Sequence, residues 1–272
     1  MNNKISVVMS VYYNDNAIHF EQAVESLLNQ TYKPSEIVIV VDGCVSKELE
    51  EVIKKYNNND IIIIIKLSNN QGLANALNIA IRSSSHELIA RMDSDDICFK
   101  DRFEKQMKFL IDNDLDFVGG QMIEFGKNLE DIVSYRRVPL KHEDIIDFMK
   151  YRAAFSHPTI LFKKKVFKSL KGYDINIFPE DYDFFVRVYL GGFKMGNIDE
   201  NVLWFRLGEN LSEAIKRRWG KKYAINEFKL YKKFLDIGFY SKSHFIKAVL
   251  FKIPLRFLPF KLFKFLYFKL SR

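Results

Sequence analysis

Four short apolar runs punctuate the N-terminal third of the chain: Ile5–Val11, Ile37–Val41, Ile61–Ile65 and Leu88–Met92. They are rich in β-branched residues and barely alternate, the pattern of strands buried on both faces. Between them apolar residues return at helical spacing, as Phe20, Ala23, Val24, Leu27 and Leu28, then Leu49, Val52, Ile53 and Tyr56, then Leu73, Ala76, Leu77, Ala80 and Ile81. A helix carrying Phe103, Met107, Leu110 and Ile111 and a strand over Phe117–Ile123 continue the series. Strands alternating with amphipathic helices predict a doubly wound, mostly parallel α/β sheet flanked by helices. Ligands of such a sheet bind at the carboxyl ends of the strands. The polar strand ends Ser10–Asn14, Asp42 and Asp93–Asp96 are therefore expected along one cleft.

The fourth run is the most informative. Leu88-Ile89-Ala90-Arg91-Met92 stops at Asp93-Ser94-Asp95-Asp96, three carboxylates in four residues. Carboxylates this close repel one another and are tolerable in water or around a cation that takes oxygen ligands. Mg²⁺ or Mn²⁺ on a sugar-nucleotide diphosphate needs one or two carboxylates besides phosphate oxygens and water. A further carboxylate can accept from ribose hydroxyls. An acidic surface turn that caps the following helix is the alternative. No Gly-x-Gly-x-x-Gly follows the first strand and no Gly-Lys-Ser/Thr loop occurs, which argues against a nicotinamide enzyme and a phosphate-loop NTPase. A nucleotide would then be held by scattered strand-end groups and a metal.

From about Gly126 the pattern loosens. A helix is expected over His142–Tyr151 and a strand over Thr159–Phe162, after Ser156-His157-Pro158. Phe178-Pro179-Glu180-Asp181 opens a helix that Gly191-Gly192 closes. Asn201–Phe205 reads as a strand, and Ser212–Leu235 as one long helix with Arg217, Arg218 and Trp219 early in it. With no repeat and no low-complexity linker, the expected organisation is a catalytic domain over 1–210, in halves 1–124 and 125–210. A helical region over 211–272 follows.

That last region carries the charge imbalance. The 272 residues have a net charge of +8. After Asp236 there is no Asp or Glu, while Lys242, Lys247, Lys252, Arg256, Lys261, Lys264, Lys269 and Arg272 alternate with Phe, Leu, Ile and Val. Large apolar side chains interleaved with cations suit an interfacial helix on anionic headgroups. Pro254 and Pro259 break it into pieces. A packed helix pair is the other reading. No apolar stretch reaches the roughly 18 residues of a spanning helix. Two cysteines, Cys44 and Cys98, make no disulfide framework, as in a reducing compartment. Met1–Lys4 runs straight into a strand, so no signal peptide is expected.

The order Ser10-Val11-Tyr12-Tyr13-Asn14, Leu28-Asn29-Gln30-Thr31, Val40-Val41-Asp42-Gly43, Asn70-Gln71-Gly72-Leu73, Asp93-Ser94-Asp95-Asp96 and Glu180-Asp181 resembles the family 2 glycosyltransferases with the GT-A fold. The likeness spans about Ile5 to Phe205. Arg91–Cys98 and Ser156–Thr159 are similar to segments of bacterial O-antigen and exopolysaccharide transferases. The resemblance implies that Ser10 and Tyr12 or Tyr13 line the base pocket, that Asp42 accepts from uracil N3–H, and that Asn70 and Gly72 lie near the uridine. It implies that Asp93 contacts ribose and metal, that Asp95 binds the metal, and that Asp96 is a second metal contact or a support. Asp181 is implied as the general base and Glu180 as the group that orients it or the acceptor; simple helix capping is the alternative. Arg217-Arg218-Trp219 resembles the end of the Gln-x-x-Arg-Trp signature of processive synthases. Ile215 stands at the Gln position, so processivity is not inferred. Arg217 or Arg218 is expected on a pyrophosphate, of donor or acceptor. His157 either touches the leaving phosphate or is structural.

The expectation as a whole is a metal-dependent inverting transferase. It moves galactose or glucose from a UDP-sugar to an undecaprenyl-pyrophosphate-linked GlcNAc or GalNAc, with Mn²⁺ or Mg²⁺ as cofactor. It sits peripherally on an anionic membrane surface, the cytoplasmic face of the inner membrane, with no nucleic-acid partner. The alternatives are a nucleotidyltransferase acting on a sugar phosphate, or a non-catalytic membrane- or nucleotide-binding module. The former wants a basic glycine-rich loop after the first strand, which Tyr12–Asn16 is not.

Overall fold

A computed structural model of the chain describes residues 4–208 and 211–271, without the side chains of 211, 213, 214 and 268–271. Strands β1 (Ile5–Tyr12), β2 (Glu36–Asp42), β3 (Ile62–Lys66) and β4 (Leu88–Met92) alternate with helices α1 (Ala17–Leu28), α2 (Lys47–Lys55) and α3 (Leu73–Ser83). Next come β5 (Ile97–Cys98), α4 (Arg102–Asp112), β6 (Phe117–Phe125), β7 (Ile132–Arg136), α5 (His142–Met149), β8 (Leu161–Lys163) and α6 (Lys164–Leu170). Helix α7 (Glu180–Leu190) and strand β9 (Met195–Arg206) complete the sheet. Four helices follow, α8 (Leu211–Lys216), α9 (Lys221–Asp236), α10 (Lys242–Lys252) and α11 (Phe260–Ser271).

The sheet order is β3-β2-β1-β4-β8-β6-β9-β5, with β7 beside β6. The first four strands are parallel, as their alternation with helices requires. Strand β8, entered through a 3-10 turn (His157–Thr159), runs antiparallel to β4 and β6. Strands β6 and β9 restore a parallel pair.

Alternate residues of each central strand enter opposite layers. Val7, Met9, Val11, Ile37 and Ile39 pack with Phe20 and Leu27 of α1, Leu49 of α2 and Phe103 of α4. Val8, Val38, Val40 and Ile89 pack with Leu77 of α3, Met149 of α5, Phe184 of α7 and Phe234 of α9. Both faces are covered, which is why the strands read as continuous apolar runs.

Three local expectations are corrected. The helix over Ser212–Leu235 is two helices, because Gly220 adopts φ +91° and caps α9. Arg217, Arg218 and Trp219 therefore lie in the break between α8 and α9 and not within a helix. The strand placed at Thr159–Phe162 begins only at Leu161, since Thr159 belongs to the turn. Strands β5 and β7 were not expected; β5 has two residues and β7 is largely exposed, so neither carries a usable period.

The basic region packs on the domain along one side and exposes apolar side chains along the other. Leu230, Tyr231, Phe234, Tyr240 and Ala248 pack into the second layer, and Phe263 of α11 is buried. Arg256 Nε meets Glu227 at 2.8 Å in a mostly buried ion pair. The outer side exposes Ile246, Leu250, Phe251, Phe257, Leu262 and Phe265. The side chains of Phe268 and Lys269, and Arg272 altogether, lie outside the described residues. Among the described residues no helix is long and apolar enough to cross a membrane.

Candidate active site

The parallel register brings the expected strand ends together. Tyr12 at the end of β1 stands opposite Asp42 at the end of β2, and Met9 opposite Met92 at the end of β4. Ser10 and Tyr12 are half-buried on this edge, and Tyr13 projects with 68% of its surface exposed. The loop after β1 is tied to the acid loop by Asp15, whose Oδ2 accepts from the Tyr12 N–H (3.0 Å) and the Ser94 hydroxyl (2.7 Å). Burial, and less strongly Asp93, push the Asp15 carboxyl up.

Asp42 is buried and organises its neighbours. Its two carboxylate oxygens accept from the backbone N–H groups of Gln71 (2.7 Å) and Gly72 (2.9 Å), and its carbonyl accepts from Asn70 Nδ2 (3.2 Å). Gly43 permits this approach: a Cβ there would lie 2.7 Å from Asn70 N. Gly72 holds φ +86° with open space where a Cβ would be. Asn70, Gly72 and Asp42 thus form one rigid wall of the cleft.

The acid loop is braced from β9. Arg206 donates its backbone N–H to Asp96 Oδ1 (2.9 Å) and its Nε to the Asp95 carbonyl (2.8 Å). Burial first, then Asp93 and Asp15, push the Asp95 carboxyl up to about 7. Burial, Asp95 and Asp93 push Asp96 well above the carboxylate range. Asp93 is ion-paired to Arg91 Nη2. The acids expected to hold a metal, Asp95, Asp93 and Asp96, stand in one loop but differ in surroundings. No group of three such side chains converges among the described residues, because Asp96 is 0% exposed and turned to Arg206 while Asp93 is held by Arg91. The four crowded carboxylates of Asp15, Asp93, Asp95 and Asp96, with Asp96 Oδ2 unpartnered, make a partly buried, electronegative place. Such a donor set fits a hard divalent ion held by one or two carboxylates, with phosphate and water completing the shell.

Across the cleft, Glu180 and Asp181 open α7. Glu180 is buried, and burial followed by Asp181 pushes its carboxyl up to about 7. Asp181 is half-buried, and its Oδ1 accepts from the Tyr182 N–H (2.8 Å). Burial raises it, while that hydrogen bond and the cations of Arg91, Arg136 and Arg218 pull it back.

Arg91 joins the two sides. It is 2% exposed, pairs with Asp93, and acts electrostatically on Asp96, Glu180 and Asp181. Its Nε and Nη1 have no hydrogen-bond partner. No role attached to it from sequence, although a charge inside an apolar run was the available signal. Asp15 and Arg136 were missed likewise; each sits in a segment without periodicity.

His157 is buried, its Nε2 is 2.9 Å from the Tyr173 hydroxyl, and burial followed by Arg91 holds its pKa well below the usual value, which favours the structural reading of this residue. Both paired arginines are exposed; Arg218 hydrogen-bonds the Tyr267 hydroxyl of α11 and acts electrostatically on Asp181. Trp219 donates Nε1–H to the Leu258 carbonyl (2.8 Å) and packs on Phe260.

Residues 6–171 match the model of a family described as Glycosyl transferase family 2. A Haemophilus influenzae protein named as an uncharacterized glycosyltransferase is 35% identical over 265 residues, covering 97% of each chain. The Escherichia coli UDP-Gal:alpha-D-GlcNAc-diphosphoundecaprenol beta-1,3-galactosyltransferase is 32% identical over 270 residues, 99% of this chain and 97% of that one. Among solved structures, the Pyrobaculum calidifontis mannosyltransferase in complex with GDP-Man and Mn²⁺ superposes with a TM-score of 0.65 at 16% identity, over 90% of this chain and 68% of that one. At that identity the likeness concerns the fold, which is GT-A. A family model that matches more than half of the chain, joined to relatives alike along nearly their whole length, makes this chain a member of glycosyl transferase family 2.

Proposed function

We propose that the chain is an inverting transferase that moves a hexose from a UDP-sugar to a sugar carried on a lipid diphosphate. The observation that carries this reading is Arg91, a buried cation that faces the strand-end acids on one side and the Glu180–Asp181 pair on the other. Donor-side acids and a base therefore share one cleft. The name of the Escherichia coli relative supports the choice of UDP-linked donor and lipid-diphosphate acceptor.

The nucleotide lies against the wall of Asp42, Asn70 and Gly72, with Ser10 and Tyr12 below it and the exposed Tyr13 free to cover the base. Asp95, assisted by Asp93, would hold a divalent ion, which would supply positive charge for the departing diphosphate. Asp96 and Arg206 keep that loop in shape. Asp181 accepts the proton of the acceptor hydroxyl while its oxygen bonds to the anomeric carbon and the carbon–phosphate-oxygen bond breaks. UDP leaves from the opposite face, so configuration inverts. Arg91, Arg136 and Arg218 oppose the effect of burial on Asp181, which favours the ionised form that a base requires. Glu180 shares the burial and charge of the pair and orients Asp181 or the acceptor.

The exposed apolar side chains of α10 and α11, with Lys247 and Lys261 between them, suit contact with an anionic bilayer where a lipid-linked acceptor is confined. On this reading the protein works peripherally at the cytoplasmic face of the membrane. The test is turnover of UDP-hexoses against GDP-hexoses with a GlcNAc- or GalNAc-diphospho-lipid analogue, with Mn²⁺ or with chelator. Metal-dependent release of UDP supports the reading. Release of GDP alone, or none with any pair, refutes it.

A further inference from the structure

Helix α9 carries apolar side chains on two sides. Leu230, Tyr231 and Phe234 are buried in the second layer, whereas Ile225 and Phe228 are exposed. The exposed pair belongs to a groove. Its walls are Ala224, Ile225 and Phe228 of α9 and, opposite them, Ile253 at the end of α10 and Phe257 at the end of the 3-10 turn Pro254–Phe257. The groove holds about 380 Å³, with Lys229 at its rim.

The walls are held in place by polar bonds behind them. Arg256, in the middle of the turn, meets Glu227 of α9 through two bonds, at 2.8 and 2.9 Å. Its Nη1 donates to the Arg218 carbonyl (3.1 Å), and its own carbonyl accepts from the Gly220 N–H that caps α9 (3.1 Å). These four bonds fix the turn against the start of α9, so the space between the walls belongs to the fold.

The chemistry of the lining selects its occupant. Apart from Lys229 these walls present no hydrogen-bonding side chain, so a peptide segment would bring N–H and C=O groups that find no partner there. A hydrocarbon chain brings none, and the volume is that of a small-molecule site. The surrounding charge selects what carries the chain. Lys221 and Lys222 begin α9 and Lys229 lines the groove; all three are exposed and in no ion pair among the described residues. No Asp or Glu follows Asp236. Cations beside an apolar groove suit an amphiphile with an anionic head. The groove also begins next to the candidate site. Tyr223, one residue before Ala224, meets the ring of Phe178 edge to face with 5.9 Å between centroids, and Phe178 stands two residues before Glu180 at the start of α7.

We propose that the groove between α9 and the Pro254–Phe257 turn receives the hydrocarbon chain of the lipid diphosphate that carries the acceptor sugar. This rests on the reading of the protein as a transferase to a lipid-linked sugar. It gives the chain a seat on the protein itself, distinct from the outward apolar side chains of α11.

The test is binding to the full chain, with saturating UDP and Mg²⁺ so that a diphosphate is not drawn into the donor's place. The probes are farnesyl diphosphate and the chainless methyl diphosphate, measured by calorimetry without vesicles. The wild type is expected to prefer the farnesyl probe by about tenfold or more. Ile225→Glu and Phe257→Glu, at positions 46% and 60% exposed and on opposite walls, are each expected to lose most of that preference with the melting temperature unchanged. Phe265→Glu, on α11 and outside the groove, is expected to keep it. Equal binding of the two probes by the wild type, or an undiminished preference in either wall variant, overturns the proposal. An equal loss in F265E overturns it by assigning the chain to the outer apolar surface. Competition by a short-chain phosphatidylglycerol as strong as that by unlabelled farnesyl diphosphate overturns it by assigning the groove to bilayer lipid. Binding is read without turnover, so a failed transfer assay and a failed groove are separate results.

Discussion

Asp181 and its neighbours make the sharpest claims at the scale of single residues. As the base, Asp181 matters in the transition state and not in donor binding. Asp181→Asn is expected to lower kcat by about 10²–10⁴-fold, the usual worth of a positioned base, with the KM for the UDP-sugar unchanged. Steady-state kinetics check the split. Glu180 gives a pH signature. Its carboxyl is raised from 4.5 to about 7 on folding, so between those values the folded state binds more protons than the unfolded one. Its contribution is therefore most favourable at low pH and is lost as pH rises toward and through 7. Denaturation at a series of pH values should show the wild type losing stability relative to Glu180→Gln across that window. A difference that is flat with pH contradicts it. Asp42 is a third case. Asp42→Ala strips the N–H groups of Gln71 and Gly72 of their acceptors. Each donor loses a hydrogen bond to a charged acceptor, worth about 1.5–3 kcal/mol, so the melting temperature should fall and the affinity for UDP with it, both measurable by thermal shift with and without UDP.

At the scale of elements, the terminal helices divide into a packed side and an exposed side. A chain cut after Ser241 removes Arg256 from buried Glu227, so it destabilises the domain as well as any membrane contact. Charges placed on the exposed side separate the two. Leu250→Glu with Phe251→Glu touches residues 63% and 72% exposed, and is expected to abolish flotation with anionic liposomes while leaving the melting temperature unchanged. Retained flotation contradicts the membrane role. Elements also mark what the sequence made legible. Strand β4 was readable to the residue because an apolar run met an acid cluster, and α7 because Pro179 and two acids opened it and glycines closed it. Strand β7 was not, since an exposed edge strand has no alternation to read, and Arg136 was hidden with it. The break before α9 had a signal in Gly220 that the apolar period on either side outweighed. The split of the acid cluster was beyond reach, because it depends on Arg206, which arrives from β9 more than a hundred residues later.

At the scale of the molecule, the parallel half-sheet carries Asp42 and the acid loop at its strand ends, and helix α7 carries Glu180 and Asp181, the proposed base, at its start. Strand β8 joins β4 to β6, antiparallel to both. The cleft exists because β1, β2 and β4 end at one edge while α7 begins across from it. Arg91 is the part both halves need, and burying its charge is tolerable only while acids from both sides face it. The central claim is that this cleft transfers a hexose with inversion, through Asp181. The most direct measurement is the anomeric configuration of the product. UDP-α-hexose, a GlcNAc-diphospho-lipid analogue and Mn²⁺ are incubated with the wild type and with Asp181→Asn, and the new linkage is read by NMR. The account predicts a β-linked product from the wild type and almost none from the variant. An α-linked product, or a variant as active as the wild type, would contradict it.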